Sequence, residues 1–125
     1  MYTIGEVESM AGINASTLRY YEKEGILLNI GRNESGRRVY TEEQLKWLKF
    51  VLALKNTGMS IEEIKAYMEM TLQGEPTVME RREFLVQHKE NVEKQMAEMF
   101  ANLERINQKI AFYDATVLKK GYLDA

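Results

Sequence analysis

The C-terminal third of the chain carries the most regular hydrophobic pattern. Between Val78 and Val117 there is no glycine and no proline, and apolar residues recur every seven positions in two series offset by four. The first series is Leu85, Val92, Met99, Ile106 and Tyr113, and the second is Met96, Leu103, Ile110 and Val117. This heptad pattern predicts one helix from about Glu80 to Val117, roughly 55 Å long at the usual rise per residue.

A lone helix with this seam would expose a long apolar stripe to water, so the helix needs a partner. The sequence offers no second helix of matching length, and the simplest partner is the same helix of a second copy in a two-fold dimer. The nine seam residues are therefore the predicted dimerisation residues. Arg82 and Lys89 occupy the first two a positions, so the start of the helix is expected to diverge from its partner.

Polar pairs at helical spacing mark where the other helices begin. In a capping box, a Ser or Thr and the Glu or Gln three residues later each satisfy the other's free backbone N–H. Four such pairs occur: Thr3 with Glu6, Thr41 with Gln44, Ser60 with Glu63, and Thr77 with Glu80. Before the long helix they predict helices at about 4–10, 42–56 and 61–72, the second of them ending at a Gly58 cap.

A further short helix and a hairpin are predicted between the first two boxes. Asn14 is a favourable N-cap for a helix from Ala15 to Glu24, which Gly25 ends. Two short helices joined by a glycine-containing turn form the helix-turn-helix pattern. Strands at 28–30 and 38–40, joined by a loop rich in turn formers, predict a hairpin wing.

The predicted fold class is therefore mainly α, with a winged helix-turn-helix domain followed by a long coiled-coil helix. The break is Gly74-Glu75-Pro76, which contains the only proline. We expect a DNA-binding domain at 1–73, a linker at 74–76, a dimerisation helix at 77–118 and a C-terminal tail at 119–125.

Composition narrows the class of protein. The 125 residues are 45% hydrophobic with mixed charge, which is typical of a folded chain. The absence of cysteine excludes disulfides and thiolate metal sites. No apolar run reaches membrane-spanning length and no signal-peptide core is present, so we expect a cytoplasmic protein with no membrane partner.

The residues do not favour an enzyme, a metal site or a cofactor. There is no glycine-rich phosphate loop after a strand, and one histidine without cysteine leaves no nucleophilic triad. His88 alone cannot build a metal site, and packing explains Met96 and Met99 better than soft-metal binding does. The net charge of −2 argues against a non-specific nucleic-acid binder but leaves a sequence-specific one open.

Candidate DNA-binding residues cluster on the predicted helix at 15–24 and on the hairpin. Arg19 and Tyr20 are expected to contact base edges, because arginine can bind guanine O6 and N7 bidentately. The competing interpretation is that Arg19 pairs with Glu22 or Glu24. Expected phosphate contacts are Ser16, Thr17, Lys23, Arg38 and Tyr40. Further candidates are Arg32 and Arg37 in the wing, and Tyr21, which suits the protein core equally well.

A pocket for an apolar small-molecule effector is a separate hypothesis. Trp47, Tyr67, Met68 and Phe84 are its candidate lining, between the two helices after the wing and the coil of a partner. Plain core packing is the competing explanation.

Four stretches resemble the MerR family of bacterial transcription regulators, and the resemblance spans nearly the whole chain. They are Tyr2-Thr3-Ile4-Gly5-Glu6-Val7, Thr17-Leu18-Arg19-Tyr20-Tyr21-Glu22, Gly36-Arg37-Arg38-Val39-Tyr40 and Gly58-Met59-Ser60-Ile61-Glu62-Glu63-Ile64-Lys65. The resemblance implies an antiparallel coiled-coil dimer bound to a pseudo-palindromic promoter. It also implies that the dimer bends and untwists an over-long spacer so that RNA polymerase reaches both promoter elements.

The effector end departs from the best-known members of that family. Metal and redox sensors carry cysteines near the end of the dimerisation helix, and drug sensors append a binding domain there. This sequence is most similar to the short members linked to aldehyde or electrophile stress, some of which use a cysteine where Ala53 stands here. A coiled-coil adaptor whose winged domain binds protein, and an architectural protein without an effector, are the alternatives.

Overall fold

The structure is a computed structural model and describes residues 1–121. Its elements in chain order are β1 (Tyr2–Thr3), α1 (Ile4–Ala11), α2 (Ala15–Lys23), β2 (Gly31–Arg32), β3 (Arg38–Tyr40), α3 (Glu42–Asn56), α4 (Ile61–Gln73) and α5 (Val78–Lys120), with a 3-10 turn at Glu75–Thr77. The mainly α fold class is confirmed. Residues Met1–Leu85 form one compact unit, and residues 86–121 belong to a second. The functional division at 74–76 stays a prediction, and residues 122–125 of the predicted tail lie outside the described residues.

Three of the four capping boxes form as predicted and start α1, α3 and α4. Thr3, Thr41 and Ser60 each accept a hydrogen bond from the backbone N–H three residues later, and the returning Glu or Gln side chain completes each box. The helix α3 has the predicted bounds. Its C-cap is Thr57 rather than the expected Gly58, which lies one residue later in the left-handed region with φ of 102°.

The fourth box, between Thr77 and Glu80, does not form. Thr77 is buried, and its hydroxyl donates to the carbonyls of Met70 at 2.5 Å and Gly74 at 2.9 Å. The Arg81 Nε–H in turn donates to the same hydroxyl at 3.0 Å. The Thr77 side chain thus closes the turn between α4 and α5 and is not available to cap the α5 N-terminus.

The wing hairpin begins three residues later than predicted. The strand expected at 28–30 is wrong, and β2 at Gly31–Arg32 pairs antiparallel with β3. The physical reason is that segment 26–30, here called the connector, is held by α3. The Gln44 side-chain amide donates to the carbonyls of Leu28 at 2.9 Å and Asn29 at 3.1 Å. Asn29 is also left-handed, with φ of 59°, so the backbone there is not extended.

The β-sheet has a third strand that the sequence did not suggest. Strand β1 pairs antiparallel with β3 on the side opposite β2, with Tyr2 opposite Tyr40. The Tyr2 hydroxyl also donates to Glu42 Oε2 at 2.5 Å, and this hydrogen bond raises the pKa of Tyr2. The N-terminus is therefore tied both to the wing and to the start of α3.

One hydrophobic core unites these elements. Its buried members come from α1, α2, the connector, β3, α3, the turn after α3 and the start of α4: Val7, Leu18, Tyr21, Ile26, Leu27, Tyr40, Leu45, Leu48, Val51, Leu54, Met59 and Ile64. Phe84 and Leu85 at the beginning of α5 pack against it as partly buried residues. Each side chain buried in such a core contributes about 1.5–3 kcal/mol relative to its exposed state.

The helix α5 is 43 residues long and has no buried residue. Six of the predicted seam residues, which are Met96, Met99, Leu103, Ile106, Ile110 and Tyr113, are 50% to 70% exposed. Val92 and Val117 are half-buried. Within residues 1–121, no helix is long and apolar enough to cross a membrane. The pairing of two α5 helices along this exposed seam stays a prediction.

Replacing Thr77 with valine tests the role of the hydroxyl between α4 and α5. T77V keeps the side-chain shape but removes the hydroxyl that donates to the Met70 carbonyl and accepts from Arg81 Nε. The Gly74 carbonyl keeps its bonds from the Thr77 N–H and Arg81 Nη2. We expect this loss to lower the free energy of unfolding by about 1–3 kcal/mol. Urea denaturation followed by circular dichroism measures the change. Thr71→Val is the matched control, since Thr71 only donates back to the Tyr67 carbonyl within α4; an equal loss for both variants would contradict the assignment.

Candidate nucleic-acid interface

The helix α2 is fixed at its N-terminus by two side chains from outside the helix. Asn14 Oδ1 accepts from the Thr17 backbone N–H at 2.9 Å and from the Thr17 hydroxyl at 3.0 Å. Glu8 of α1 accepts from the Ala15 backbone N–H at 3.0 Å. A carboxylate is favourable at this position because the N-terminus of a helix carries partial positive charge. The two helices of the helix-turn-helix are therefore linked by a direct hydrogen bond.

The two faces of α2 separate core residues from exposed ones. Leu18 and Tyr21 point into the core, with exposures of 0% and 4%. Burial raises the pKa of the Tyr21 hydroxyl. Four predicted contact residues, Ser16, Arg19, Tyr20 and Lys23, are exposed, and Thr17 is half-buried. The structure therefore brings the predicted base-reading residues to one surface and places Tyr21 in the core.

Among residues 1–121, no carboxylate pairs with Arg19. The alternative interpretation paired it with Glu22 or Glu24, but both of these are engaged elsewhere. Glu22 accepts from Arg38 Nε at 2.7 Å, and Glu24 accepts from Lys65 Nζ at 3.0 Å. Among the described residues, Arg19 makes no hydrogen bond or ion pair, so its guanidinium is available to a ligand outside the chain.

The wing tip is a tight turn organised by Asn33. Its side-chain oxygen accepts from the backbone N–H groups of Ser35 at 3.0 Å and Arg37 at 3.1 Å. The Gly36 N–H donates to the Asn33 carbonyl, and Gly36 has the left-handed φ of 77° that this turn requires. The loop is thus a defined projection that carries basic side chains.

The three wing arginines differ in the contacts that their side chains make. Arg32 Nη1 donates to the Gly36 carbonyl at 2.7 Å, so Arg32 closes the hairpin. Arg37 is exposed, and its side chain makes no hydrogen bond or ion pair within residues 1–121. Arg38 is half-buried and held by Glu22, with its side chain 24% exposed. Arg37 is therefore the most accessible of the three, and Arg38 is the most precisely oriented.

Tyr40 does not lie where the sequence analysis expected it. It is only 1% exposed, and its hydroxyl has no hydrogen-bond partner among the described residues. Burial raises the pKa of Tyr40, with a further contribution from Glu22, whereas Arg38 and Arg19 oppose the shift. A ring in this position supports the wing from inside and is withdrawn from a ligand at the surface. The reason is that the Tyr40 ring belongs to the hydrophobic core that α1, α2 and α3 share with β3.

The aromatic residues proposed for an effector pocket form a cluster. Trp47 stacks on Tyr67 with ring centroids 6.1 Å apart, and Tyr67 lies 6.0 Å from Phe84. An open cavity of about 410 Å³ adjoins part of this cluster. Its lining is Leu27, Leu28, Asn29, Thr41, Glu43, Gln44, Trp47, Met68 and Thr71. Trp47 and Met68 therefore face the cavity, while Tyr67 and Phe84 do not line it.

Comparison with known families decides the class of the protein. Residues 2–71 match the sequence model of the MerR HTH family regulatory proteins, and residues 45–109 match that of the MerR DNA-binding region. The first match covers the helix-turn-helix, the wing, α3 and most of α4. The chain belongs to the MerR family.

Individual transcription regulators are similar to this chain over most of their length. An uncharacterised HTH-type transcriptional regulator of Haemophilus influenzae is 43% identical over 112 residues, covering 90% of this chain and 83% of its own. The HTH-type transcriptional regulator ZntR of Escherichia coli K12 is 35% identical over 86% of this chain and 79% of its own.

A solved structure is similar over nearly the whole chain. It is HiNmlR, described as a MerR family regulator lacking the sensor domain and bound to promoter DNA. It has a TM-score of 0.88 and 42% identity, covering 94% of this chain and 90% of its own. These relatives are regulators rather than enzymes. Among residues 1–121, no group of three or more His, Asp or Glu side chains is arranged to hold a metal ion.

Sequence reasoning missed three tertiary contacts of this MerR-family interface. They are the Glu22–Arg38 and Glu24–Lys65 ion pairs and the hydrogen bond from Ala15 to Glu8. The paired groups lie 16, 41 and 7 residues apart. Local helical spacing cannot reveal such pairs, and only the placement of α1, β3 and α4 around α2 brings them together.

Replacing Tyr40 with phenylalanine removes a buried hydroxyl without changing the ring. Because an unsatisfied buried donor is unfavourable, we expect Y40F to raise the free energy of unfolding by up to ~1 kcal/mol. We also expect unchanged affinity for DNA. Chemical denaturation and a mobility-shift titration measure the two effects, with the exposed Tyr20→Phe as the stability control. A clear loss of DNA affinity in Y40F would restore the expected contact between Tyr40 and the DNA backbone.

Proposed function

We propose that this protein is a homodimeric regulator that binds a pseudo-palindromic promoter sequence-specifically. One observation carries the proposal: Arg19 and Tyr20 are exposed on α2, and Arg19 is free of the nearby carboxylates because these pair with Arg38 and Lys65. An arginine kept free on the outer face of a helix suits base-edge recognition in the major groove. The promoter-bound structure of the relative HiNmlR supports the same reading.

Backbone contacts accompany base reading in this proposal. Ser16, Thr17 and Lys23 flank Arg19 on the accessible side of α2, and Arg37 and Arg38 lie on the wing. Such contacts fix the register of a protein on the duplex. Arg32, whose guanidinium closes the hairpin, adds positive charge at the wing tip. The alternative of a protein-binding adaptor gains no support from a surface that combines free arginine with a basic wing.

Dimerisation follows in this proposal from the exposed seam of α5. Its apolar side chains would be covered by the same helix of a second copy running antiparallel, as the family resemblance implies. A two-fold dimer presents two copies of α2, which matches the two half-sites of a pseudo-palindrome.

The proposed consequence at the promoter is remodelling of an over-long spacer. The dimer bends and untwists the DNA, so that RNA polymerase contacts both promoter elements. This step rests on the family resemblance. Bending a DNA site of 20 to 30 base pairs costs of the order of 1–6 kcal/mol. The DNA contacts made by the two copies must offset this cost. A cytoplasmic location and the short aldehyde- or electrophile-stress group are parts of the same proposal.

A small-molecule effector is the least specified part of the proposal. The cavity beside Trp47 and Met68 is within the usual size range of ligand sites. It adjoins the connector between α2 and the wing, which supports a regulatory position for a bound molecule. Cysteine-based sensing is outside the chemistry of this sequence.

Alanine at Arg19 and at Arg38 should affect binding in different ways. Arg38→Ala should weaken binding to all DNA sequences about equally. It should also reduce the salt dependence of binding by ~1 phosphate contact per copy. Arg19→Ala should also relax sequence preference, since a bidentate contact to guanine is worth ~1–3 kcal/mol of discrimination. Mobility-shift titrations at several salt concentrations measure both effects. The probes are a duplex from the region upstream of the protein's own gene and a scrambled duplex.

Arg105→Ala provides the matched control for these variants, because Arg105 lies outside the α5 seam and, among the described residues, its side chain donates only to Asn102. We expect it to leave affinity and salt slope unchanged. A wild-type salt slope near zero would reject DNA binding and favour the adaptor. An unchanged slope in Arg38→Ala would reject only the wing contact.

A charge in the middle of the seam should separate the two copies. Ile106→Lys places an ammonium where a partner's apolar side chains are expected, and its desolvation is unfavourable. We expect analytical ultracentrifugation to show a monomer at concentrations where the wild type is dimeric, with loss of tight promoter binding. Glu104→Lys, outside the seam, should remain dimeric. Equal behaviour of the two variants would exclude the heptad interface.

A further inference from the structure

The ion pair between Glu22 and Arg38 connects the two parts of the candidate interface. Glu22 belongs to α2, and Arg38 is the first residue of β3 in the wing. Glu22 Oε2 lies 2.7 Å from Arg38 Nε, and the side chains are 30% and 24% exposed. The pair is therefore partly withdrawn from water, where screening by salt is weaker than at an open surface.

The geometry leaves one edge of the Arg38 guanidinium unused. The carboxylate contacts Nε, and neither Nη atom donates to any of the described residues. Arginine presents its donors in a rigid planar fork, so fixing Nε also fixes the direction of the Nη edge. Two parallel N–H groups on that edge match the oxygens of a phosphate.

A buried aromatic residue lies close to the pair. Tyr40, two residues along β3, is buried, and its hydroxyl is influenced electrostatically by Glu22, Arg38 and Arg19 together. These groups therefore lie close to one another at the junction of α2 and β3. An Arg38 side chain clamped here has few alternative rotamers to lose when it binds.

We propose that Glu22 is a positioning residue for DNA binding, whose carboxylate orients the Arg38 guanidinium so that its Nη edge faces a backbone phosphate. This inference rests on the proposed contact between Arg38 and DNA. It assigns to an acidic residue a favourable effect on the binding of a polyanion. By locking the wing to α2, the same pair sets the phosphate contact in register with the base contacts of Arg19.

The sign of the effect separates this role from simple electrostatics. A carboxylate near DNA repels phosphates, so removing a negative charge normally strengthens binding. Glu34, exposed in the wing loop, is the matched case of such a charge. If Glu22 positions Arg38, its removal must weaken binding despite the gain in net positive charge.

The experiment uses the full chain and a duplex of its own upstream region, titrated by mobility shift at several salt concentrations. Glu22→Ala should weaken binding by about tenfold and lower the salt slope as much as Arg38→Ala does, by ~1 contact per copy. Glu22→Gln should stay within about threefold of wild type, because its amide oxygen still accepts the Nε–H. Glu34→Ala should bind as tightly as wild type or tighter.

A double-mutant cycle adds a readout that a merely structural role would not give. If Glu22 acts through Arg38, the combined E22A and R38A variant should bind no more weakly than R38A alone. Additive losses would overturn the positioning role. Glu22→Asp supplies a second probe should E22A fail to fold. It keeps the charge but shortens the reach, and we expect it to bind more weakly than E22Q.

The outcomes also separate this inference from the proposed function. Tighter binding by E22A, with weaker binding by R38A, would overturn the positioning role and leave the Arg38 contact intact. Wild-type affinity and salt slope in R38A would reject the contact itself and the inference with it. Weaker binding by E22D than by E22Q, together with non-additivity in the cycle, would support orientation rather than charge as the function of Glu22.

Discussion

The placement of the wing depends on how α3 satisfies the backbone of the connector. Trp47 Nε1 donates to the Ile26 carbonyl at 2.7 Å, and the Gln44 amide donates to the carbonyls of Leu28 and Asn29. A buried carbonyl without a partner is unfavourable, so these side chains determine the path of the chain after α2. Because of these hydrogen bonds, β2 begins only at Gly31. The start of β2 determines the length of the wing and the position of Arg38 beside Glu22.

The helices could be predicted from the sequence more completely than the strands. Capping residues and apolar periodicity are local signals. They predicted the bounds of α3 correctly, and the bounds of α1, α2 and α4 to within about one residue. The β2 strand was misplaced because side chains 15 to 21 residues away hold the connector. Strand β1 was missed because two residues carry no alternating pattern. Thr77 matched a capping box but bonds α4 instead, a choice that only tertiary packing decides.

The candidate site was predictable where exposure follows from helix periodicity. A helix with 3.6 residues per turn places Leu18 and Tyr21 on a different face from Arg19 and Tyr20. In the structure the first two are buried and the second two are exposed. The positions of the side chains in the wing could not be predicted as well. Alternation placed Arg38 and Tyr40 on one face, but it did not show that the Tyr40 ring would pack into the hydrophobic core. Nor did spacing within α2 show that Glu22 would reach across to β3.

The engaged carboxylates explain how a chain with a net charge of −2 suits a polyanionic ligand. Glu22 and Glu24 would lower the affinity of α2 for DNA if they were free. Paired with Arg38 and Lys65, they instead hold α2 to the wing and to α4. Arg19 makes no ion pair with any of the described residues. Because few basic residues are left for phosphates, one copy should bind weakly. Under the proposed function, affinity then comes from two copies joined through α5, so the geometry of the seam governs recognition as much as Arg19 does.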